Sequence, residues 1–264
     1  MRQGTQSGRS CARAGADVWM AGNIGPDGRF LADLLHDAGT HTELIREGDM
    51  LTGTAFIQNE KSGDNCIIVS SMANHRVDEG QMDEVFEQFG SADLLLCQNE
   101  INHMEDILKR AREKGMTVVF NPAPMTDEIR QFDLSTIDLL IVNESELRAL
   151  LGLDDPALSL SDLMDRGRTV CPSTRMIVTA GHKGAWYQDK EQRFFVPAFH
   201  VEAVDTTGAG DTFAGYVCAL LARGDSIESA MKTASAAAAL SVTKKGAASS
   251  IPSLEKTEEF LKNI

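Results

Sequence analysis

The fold of this chain is decided by the stretch Asp205-Thr206-Thr207-Gly208-Ala209-Gly210-Asp211 and by the apolar run that follows it to Leu221. Small and apolar residues fill every turn of that run and no proline interrupts it, so the pattern predicts a helix with the glycines at its N-terminus. The first turn of a helix presents unpaired backbone N–H groups and the positive end of the helix dipole. Gly208 and Gly210 lack a Cβ, which would let a phosphate approach this backbone closely. The stretch therefore predicts an anion site.

Asp211 is the residue that a simple anion-binding loop would avoid, because its carboxylate repels a phosphate. Phosphoryl transfer, by contrast, uses a base beside the group that is transferred. A glycine-rich turn capped by Asp205 or Thr207 is the alternative that involves no chemistry, and a loose Gly-x-Gly pattern would favour it. The full set of specified residues from Asp205 to Asp211 favours the catalytic interpretation, in which Asp211 is a general base.

Composition narrows the classes of function that this chain can have. The chain has 264 residues, of which 42% are hydrophobic, which suits one α/β domain with a full core. Its formal charge of −14 argues against nucleic acid or an anionic membrane as a partner, because phosphate contacts need a basic surface. No apolar run approaches the roughly 18 residues of a membrane span, and no signal peptide is recognised. The five cysteines are scattered without a Cys-x-x-Cys pair, which indicates reduced core thiols and a cytoplasmic protein.

Strand and helix patterns alternate through residues 93–179, which predicts parallel strands joined by crossover helices. In open α/β sheets, ligands collect outside the carboxyl ends of the strands. Glu100 lies two residues after the apolar strand predicted at 93–98, so we expect it at such an end. Taken alone, it is also an ordinary acidic residue of a surface loop.

The remaining patterns predict smaller elements. Two β-rich runs, at 52–58 and 65–70, flank a cluster of turn formers and predict a hairpin. Residues 17–22 predict one short buried strand, and Glu228 to Val242 predicts an alanine-rich helix. Neither internal repeats nor low-complexity segments occur in the sequence.

The spacing Asn143-x-x-Glu146 places an amide and a carboxylate within one helical turn. A capping box explains this pair without chemistry, with Asn143 as the N-cap and Glu146 at the third helical position. Both roles are compatible with one another. A single carboxylate also suits Mg²⁺, which keeps most of its waters when it binds to protein.

On the motif at 205–211, the segment Asn121-Pro122-Ala123-Pro124 and the Asn143-x-x-Glu146 pair, the chain resembles the ribokinase-like (PfkB-type) carbohydrate kinases. The resemblance covers nearly the whole sequence. It implies a three-layer α/β/α fold, with a mostly parallel central sheet and a small β lid around 50–71. Residues 1–264 would form a single kinase domain, in which the first strand of the family has no counterpart and is expected to be missing.

The resemblance implies ATP-dependent phosphorylation of a sugar's primary hydroxyl, with D-ribose as the first expectation. Asp211 would take the hydroxyl proton as the oxygen attacks the γ-phosphoryl group. The N–H groups of Gly208, Ala209 and Gly210 would form an anion hole for the transferred group. A kinase for another sugar or nucleoside, such as fructose or a ketodeoxy sugar acid, remains an alternative. So does a non-catalytic remnant that only binds nucleotide.

The resemblance also assigns the binding residues. The sugar would contact Gly4, Gln6, Glu100 and Asp211. Of these, Gln6 stands where the family has a sugar-contacting asparagine, and Glu100 is the acid that hydrogen-bonds sugar hydroxyls. The residues implied for the nucleotide are Asn143, Thr179, Gly181 and Gly210.

Two metal ions and a dimer are implied as well. Glu146 would hold Mg²⁺ through water. A monovalent cation, expected to be K⁺, would be surrounded by Asp205, Thr207, Ser241, Lys244, Gly246 and Ser250. Family members use the lid strands as a clasp, so we expect a homodimer through those strands. The expected small-molecule partners are a sugar and ATP.

Overall fold

The computed structural model describes residues 3–59 and 65–264, in which helices and strands alternate. The strands of this part are β1 (Val18–Trp19), β2 (Gly22–Ile24), β3 (Thr40–His41), β4 (Ile45–Glu47), β5 (Thr54–Asn59), β6 (Asn65–Ser70), β7 (Leu94–Gln98), β8 (Thr117–Asn121), β9 (Leu139–Asn143), β10 (Arg175–Thr179), β11 (Gly184–Gln188) and β12 (Arg193–Pro197). Its helices are α1 (Gln3–Arg13), α2 (Arg29–His36), α3 (Glu79–Gln88), α4 (Met104–Glu113), α5 (Glu144–Leu150), α6 (Leu160–Val170), α7 (Ala209–Ala222), α8 (Ile227–Val242) and α9 (Leu254–Lys262). None of these helices is long and apolar enough to cross a membrane.

A six-stranded sheet in the order β12-β11-β10-β9-β8-β7 forms the centre of the fold. The four strands from β7 to β10 are parallel, whereas β11 and β12 are antiparallel additions at one side. Because the four parallel strands run the same way, their carboxyl ends meet along one edge of the sheet. The predicted alternation and the mostly parallel sheet are confirmed.

Side chains of β8, β9 and β10 point alternately into two separate apolar clusters, as the pleat of a strand requires. The cluster shared with α1, α7 and α8 contains these strand residues: Val119, Leu139, Ile141 and Ile177. The cluster shared with α3, α4, α5 and α6 contains these: Val118, Phe120, Leu140, Val142 and Val178. Strands buried on both faces must be apolar throughout, which explains their continuous hydrophobic runs. The result is the expected three-layer α/β/α fold.

Helix α1 packs very closely against α7. A Cβ built on Gly215 would lie 2.5 Å from the Ser10 side chain and 2.6 Å from the Ser7 carbonyl oxygen, so only glycine fits there. The Cys11 thiol also donates to the Gly215 carbonyl at 3.2 Å. This contact fixes the start of α1 beside the N-terminus of α7, which is where the predicted anion site lies.

The hairpin predicted from the runs at 52–58 and 65–70 is present as the antiparallel pair of β5 and β6, and its role as a lid stays a prediction. Phe56 and Ile68 are partners in its register and are 64% and 63% exposed. A cross-strand pair of large apolar side chains therefore lies open to solvent on this hairpin. The predicted turn at residues 61–64 lies outside the described residues.

The prediction of one short buried strand at 17–22 is wrong. The segment forms two strands, β1 and β2, which pair in parallel with β3 and β4 rather than with the main sheet. These two-stranded sheets keep one face open, so Trp19 is 38% exposed and stacks on the His41 ring at 4.3 Å between centroids. An apolar run alone did not distinguish a buried strand from this half-covered one.

The cysteines that the structure describes with side chains are free, buried thiols: Cys11, Cys97, Cys171 and Cys218. Burial raises the pKa of Cys11 and Cys97 to about 12 and that of Cys171 to about 11. These thiols remain protonated at neutral pH and serve as core residues, as predicted. The side chain of Cys66 lies outside the described residues.

Candidate active site

The motif at 205–211 opens helix α7, as predicted from the sequence. Gly208 is the N-cap, with a left-handed backbone (φ 78°), and the helix begins at Ala209. A Cβ at Gly208 would lie 2.3 Å from Gln6 Oε1, so glycine is required here both for its conformation and for space. In the first turn, the N–H groups of Ala209, Gly210 and Asp211 have no partner within the helix.

The space over this first turn is open at Gly210. Nothing lies within 4 Å of a Cβ built there, and the residue is exposed. The Ala209 N–H donates to Thr206 O at the long distance of 3.3 Å, which closes the turn before the helix. An anion can therefore approach the helix N-terminus at Gly210, where the dipole and the N–H groups favour negative charge.

Asp211 is buried at the inner side of this turn, with 7% of its surface exposed. Its Oδ1 accepts hydrogen bonds from Gln98 Nε2 at 3.0 Å and from Ser7 Oγ at 3.4 Å. Burial raises the pKa of Asp211 to about 7, and the negative charges of Glu100 and Glu146 act in the same direction, against the two hydrogen bonds. A carboxylate with a pKa near the working pH is suited to general-base catalysis.

The residues expected to bind the sugar come together around Asp211. The backbone N–H of Gly4, in the first turn of α1, donates to Glu100 Oε2 at 3.3 Å. Gln6 lies on the other side, where its Oε1 occupies the space that a Cβ at Gly208 would need. The loop that carries Glu100 is held by Asn74, whose Nδ2 donates to the Glu100 carbonyl at 3.2 Å. Two carboxylates, two helix N-termini and an amide thus meet in one place, a combination suited to a polyhydroxylated ligand.

A cavity of about 460 Å³ begins at these residues but leads away from the site. Gly4, Ser7, Gln98 and Glu100 line one end, and most of the remaining wall is apolar and lies between β7 and the strands β1 and β2. Asp211 does not line it. Because the candidate base lies outside this cavity, the open side of Gly210 is the better position for the reacting groups.

Asn143 and Glu146 form the predicted capping box. Asn143 Oδ1 accepts from the Glu146 N–H and Glu146 Oε2 accepts from the Asn143 N–H, both at 2.8 Å. Burial raises the pKa of Glu146, with partial opposition from the Asn143 N–H. A divalent cation would favour the charged form of such a carboxylate, so the residue fits the expected Mg²⁺.

The residues expected at the nucleotide lie on neighbouring strand ends. Thr179 is the register partner of Asn143 in the parallel pair of β9 and β10, so both stand at the carboxyl edge of the sheet. Gly181 follows with a left-handed backbone (φ 56°) and open space at its Cβ position. The Thr179 hydroxyl donates to Val142 O at 3.4 Å. This edge and the start of α7 face the same end of the sheet, which is consistent with a nucleotide that spans them.

The residues expected to surround a monovalent cation are joined by hydrogen bonds. Asp205 accepts from the N–H groups of Thr207 and Gly246, both at 3.0 Å, and these bonds lower its pKa, with the bond from Gly246 contributing most. Lys244 N–H donates to Ser241 O at 3.4 Å. The side chain of Ser250 instead turns to Ala247 O at 3.1 Å. One charged carboxylate among backbone and hydroxyl oxygens fits a hard monovalent ion. Within 3–59 and 65–264, no group of three or more His, Cys, Asp or Glu side chains is arranged to hold a metal ion.

Three residues of the site were not predicted from the sequence. Ser7 and Gln98 both donate to Asp211, and Asn121 accepts from Gln98 Nε2 at 3.0 Å. Gln98 and Asn121 end the adjacent parallel strands β7 and β8 and are register partners. In the sequence, each of these two apolar strands ends with a polar residue. This pattern indicates a shared site only when the two strands are known to be neighbours in the sheet.

Comparison with known proteins extends these findings. The model of the pfkB family carbohydrate kinases matches residues 8–254. Among curated relatives, ribokinase of Haemophilus influenzae is 36% identical, over 99% of this chain and 87% of its own, and deoxyribokinase of Salmonella typhi is 31% identical, over 98% and 86%. A solved structure of Arabidopsis thaliana ribokinase complexed with ribose and ATP has a TM-score of 0.88 at 26% identity, covering 99% of this chain and 87% of that one.

The match of the family model and the full-length identity to curated relatives agree with the geometry of the site. The family match spans residues 8–254 and so includes the glycine-rich start of α7 and the buried Asp211. The chain belongs to the pfkB family of carbohydrate kinases.

Proposed function

We propose that this chain is an ATP-dependent kinase that phosphorylates the primary hydroxyl of D-ribose. The observation that carries the proposal is the buried Asp211, with a pKa of about 7, directly beside the open N-terminus of α7. A base and an anion site less than one helical turn apart are what transfer of a phosphoryl group to a hydroxyl requires. In this proposal residues 1–264 act as one kinase domain with the β5–β6 hairpin as its lid.

In the proposed reaction, the sugar hydroxyl attacks the γ-phosphoryl group in line while Asp211 takes its proton. The proton passes to the carboxylate, the new O–P bond forms, and ADP leaves with the electron pair of the broken P–O bond. The N–H groups of Gly208, Ala209 and Gly210 stabilise the charge on the transferred group. Gly4, Gln6 and Glu100 orient the sugar through their hydrogen-bonding groups.

Two ions support the proposed site. Asn143 and Glu146 would hold Mg²⁺ and its waters beside the nucleotide phosphates, with Thr179 and Gly181 next to the nucleotide. Mg²⁺ neutralises phosphate charge when it is bound. The oxygen atoms of Asp205 and its hydrogen-bonded loop would hold K⁺ and keep the anion hole ordered.

The choice of ribose rests on relatives. Ribokinase of Haemophilus influenzae shares 36% of its residues with this chain over nearly the full length, and the Arabidopsis thaliana structure contains ribose and ATP. The Salmonella typhi deoxyribokinase, at 31% identity, makes 2-deoxyribose a second candidate. The two sugars differ by one hydroxyl, so a site that hydrogen-bonds this hydroxyl would discriminate strongly between them.

A coupled assay of ADP release tests the proposal. Sugar-stimulated turnover should be higher with ribose than with 2-deoxyribose, fructose, a ketodeoxy sugar acid or a nucleoside. Asp211→Asn should lower turnover by about 10²- to 10⁴-fold, because the amide cannot accept the proton. The exposed Asp154→Asn is the matched control and should be fully active. ATP binding without turnover on any sugar would instead identify a nucleotide-binding remnant.

We also infer a homodimer that forms through the lid hairpin. Phe56 and Ile68 present a large apolar pair on it, and such pairs at the surface mark interaction sites when they are part of a contiguous patch. A cytoplasmic location would suit an enzyme that uses ATP and keeps its thiols reduced.

A further inference from the structure

Asp211 is the last member of a chain of amide hydrogen bonds that crosses three elements of the sheet. Asn121 Nδ2 donates to the carbonyl oxygen of Ile141 at 2.8 Å. Asn121 Oδ1 accepts from Gln98 Nε2 at 3.0 Å, and the same Nε2 donates to Asp211 Oδ1 at 3.0 Å. The chain therefore runs from β9 through β8 and β7 to the N-terminus of α7.

The direction of every bond in this chain follows from its first member. A backbone carbonyl can only accept, so the Asn121 amide must present its nitrogen to Ile141 and its oxygen to Gln98. Gln98 must then present its nitrogen to Asn121, and the second hydrogen of that nitrogen points to Asp211. Neither amide can be turned around without placing two acceptors against each other. Gln98 is thus obliged to be a donor to Asp211.

We propose that Gln98, held by Asn121, is a positioning residue that selects which oxygen of Asp211 acts as the base. The inference rests on the proposed function, in which Asp211 takes the sugar proton. Both side-chain hydrogen bonds that the described residues donate to Asp211 end on Oδ1. Gln98 keeps Oδ1 as an acceptor and leaves Oδ2 to receive the proton, which fixes the geometry of transfer.

The charges around Asp211 determine how its pKa would change if the Gln98 donor were removed. The acidic groups that act on it are Glu100, after β7, and Glu146, on α5, and both disfavour its ionised form. Gln98 and Ser7 oppose them by hydrogen bonding, with Gln98 contributing more. Removing the Gln98 donor leaves a buried carboxylate facing two negative charges with one weak hydrogen bond, so its proton should be held more tightly.

Gln98→Met keeps the volume of the side chain and removes the donor. We expect kcat to fall about 10- to 100-fold, because the carboxylate is no longer held in one orientation. In the pH dependence of kcat, the acidic limb should shift to higher pH by about one to two pH units. This is the shift expected when a hydrogen bond to a charged group is lost. KM for ATP should be unchanged. Asn121→Ala should move the limb in the same direction by a smaller amount, and the double variant should add little to Gln98→Met.

Gln81→Met is the matched control. Gln81 is buried as well, and its Nε2 also donates two hydrogen bonds, to Gly22 O at 3.1 Å and Leu44 O at 3.3 Å. Like Gln98, it has an Oε1 without a partner among the described residues. We expect this variant to lose stability to a similar degree but to keep the wild-type pH profile. An equal shift of the limb in both variants would overturn the proposal.

A carboxyl ¹³C titration followed by NMR separates this inference from the proposed function. The Asp211 signal, identified by its loss in Asp211→Asn, should titrate at a higher pH in Gln98→Met than in the wild type. This measurement needs no turnover. A wild-type enzyme without sugar-dependent activity would reject the proposed function, whereas an unchanged Asp211 titration in Gln98→Met would reject the role of Gln98.

Discussion

Replacement of Asp211 by asparagine should stabilise the fold, and by an amount that depends on pH. Burial raises the pKa of Asp211 in the native state to about 7 from an ordinary value of 3.8. In the unfolded chain the carboxyl returns to its ordinary pKa. A group with a raised native pKa contributes its full stability below the unfolded pKa and loses it as the pH rises through the native pKa. The wild type is therefore penalised at neutral and alkaline pH, and an uncharged amide is not.

The size of the effect follows from the two pKa values. Each pKa unit corresponds to about 1.4 kcal/mol, so at pH 8 the full difference costs the wild type about 4 kcal/mol. At pH 5 the wild type has lost only the stability that corresponds to the interval between the unfolded-state pKa and pH 5, which is about 2 kcal/mol. Asparagine has nearly the same shape, and its Oδ1 can still accept the hydrogen bond from Gln98. We expect the difference in the free energy of unfolding between Asp211→Asn and the wild type to increase by about 2 to 3 kcal/mol, in favour of the variant, between pH 5 and pH 8.

Urea unfolding at several pH values measures this difference directly, provided that the slope with urea is the same in both proteins. Asp154→Asn removes an exposed carboxylate and serves as the control, with no change expected at either pH. Equal stabilisation by Asp211→Asn at pH 5 and pH 8 would mean that Asp211 titrates near its ordinary pKa. Asp211 would then not be a general base with a pKa near neutral pH.

Three further predictions concern the helix start, the lid and the monovalent cation. Gly208→Ala should lower the free energy of unfolding by at least about 1 to 2 kcal/mol, because the residue has a left-handed backbone and its Cβ would meet Gln6. Gly210→Ala should leave the free energy of unfolding unchanged and weaken ATP binding. Equal stability of the two variants would contradict this prediction. Phe56→Glu on the proposed lid should convert a dimer to a monomer, as measured by light scattering. Phe30→Glu, at an exposed position of α2, should leave the dimer intact. An unchanged molar mass in both variants would exclude the lid as the interface. Replacing K⁺ by tetramethylammonium at equal ionic strength should lower turnover or ATP affinity, and no effect on either would remove the cation from the mechanism.

The structural features around the candidate site that the structure confirms are those that are local in the sequence. The motif ending in Asp211 specifies a turn, a helix start and a carboxylate within seven residues, so its pattern carries most of its structure. The Asn143 and Glu146 pair is similar, since a capping box needs only the first turn of one helix. The three-layer fold was expected from the family resemblance, whereas the alternation of strands and helices and the parallel sheet were predicted from the sequence pattern itself.

The parts that were not predicted depend on partners distant in the sequence. Gln98 meets Asp211 across 113 positions, and it meets Asn121 only because β7 and β8 align in one particular register. Sequence patterns fix which residues form a strand but not which strands become neighbours. The incorrect strand at 17–22 has the same origin, since its burial depends on β3 and β4, which lie elsewhere in the chain.

The buried thiols give this protein a set of internal reporters of motion. Cys11 lies in the contact between α1 and α7, and Cys218 lies on α7. A protonated, enclosed thiol reacts with an alkylating reagent only when its surroundings open, so its labelling rate measures the free energy of that opening. Because α1 carries Gly4, Gln6 and Ser7, the alkylation rate of Cys11 would report how often α1, the proposed sugar side of the site, separates from α7, the proposed phosphate side.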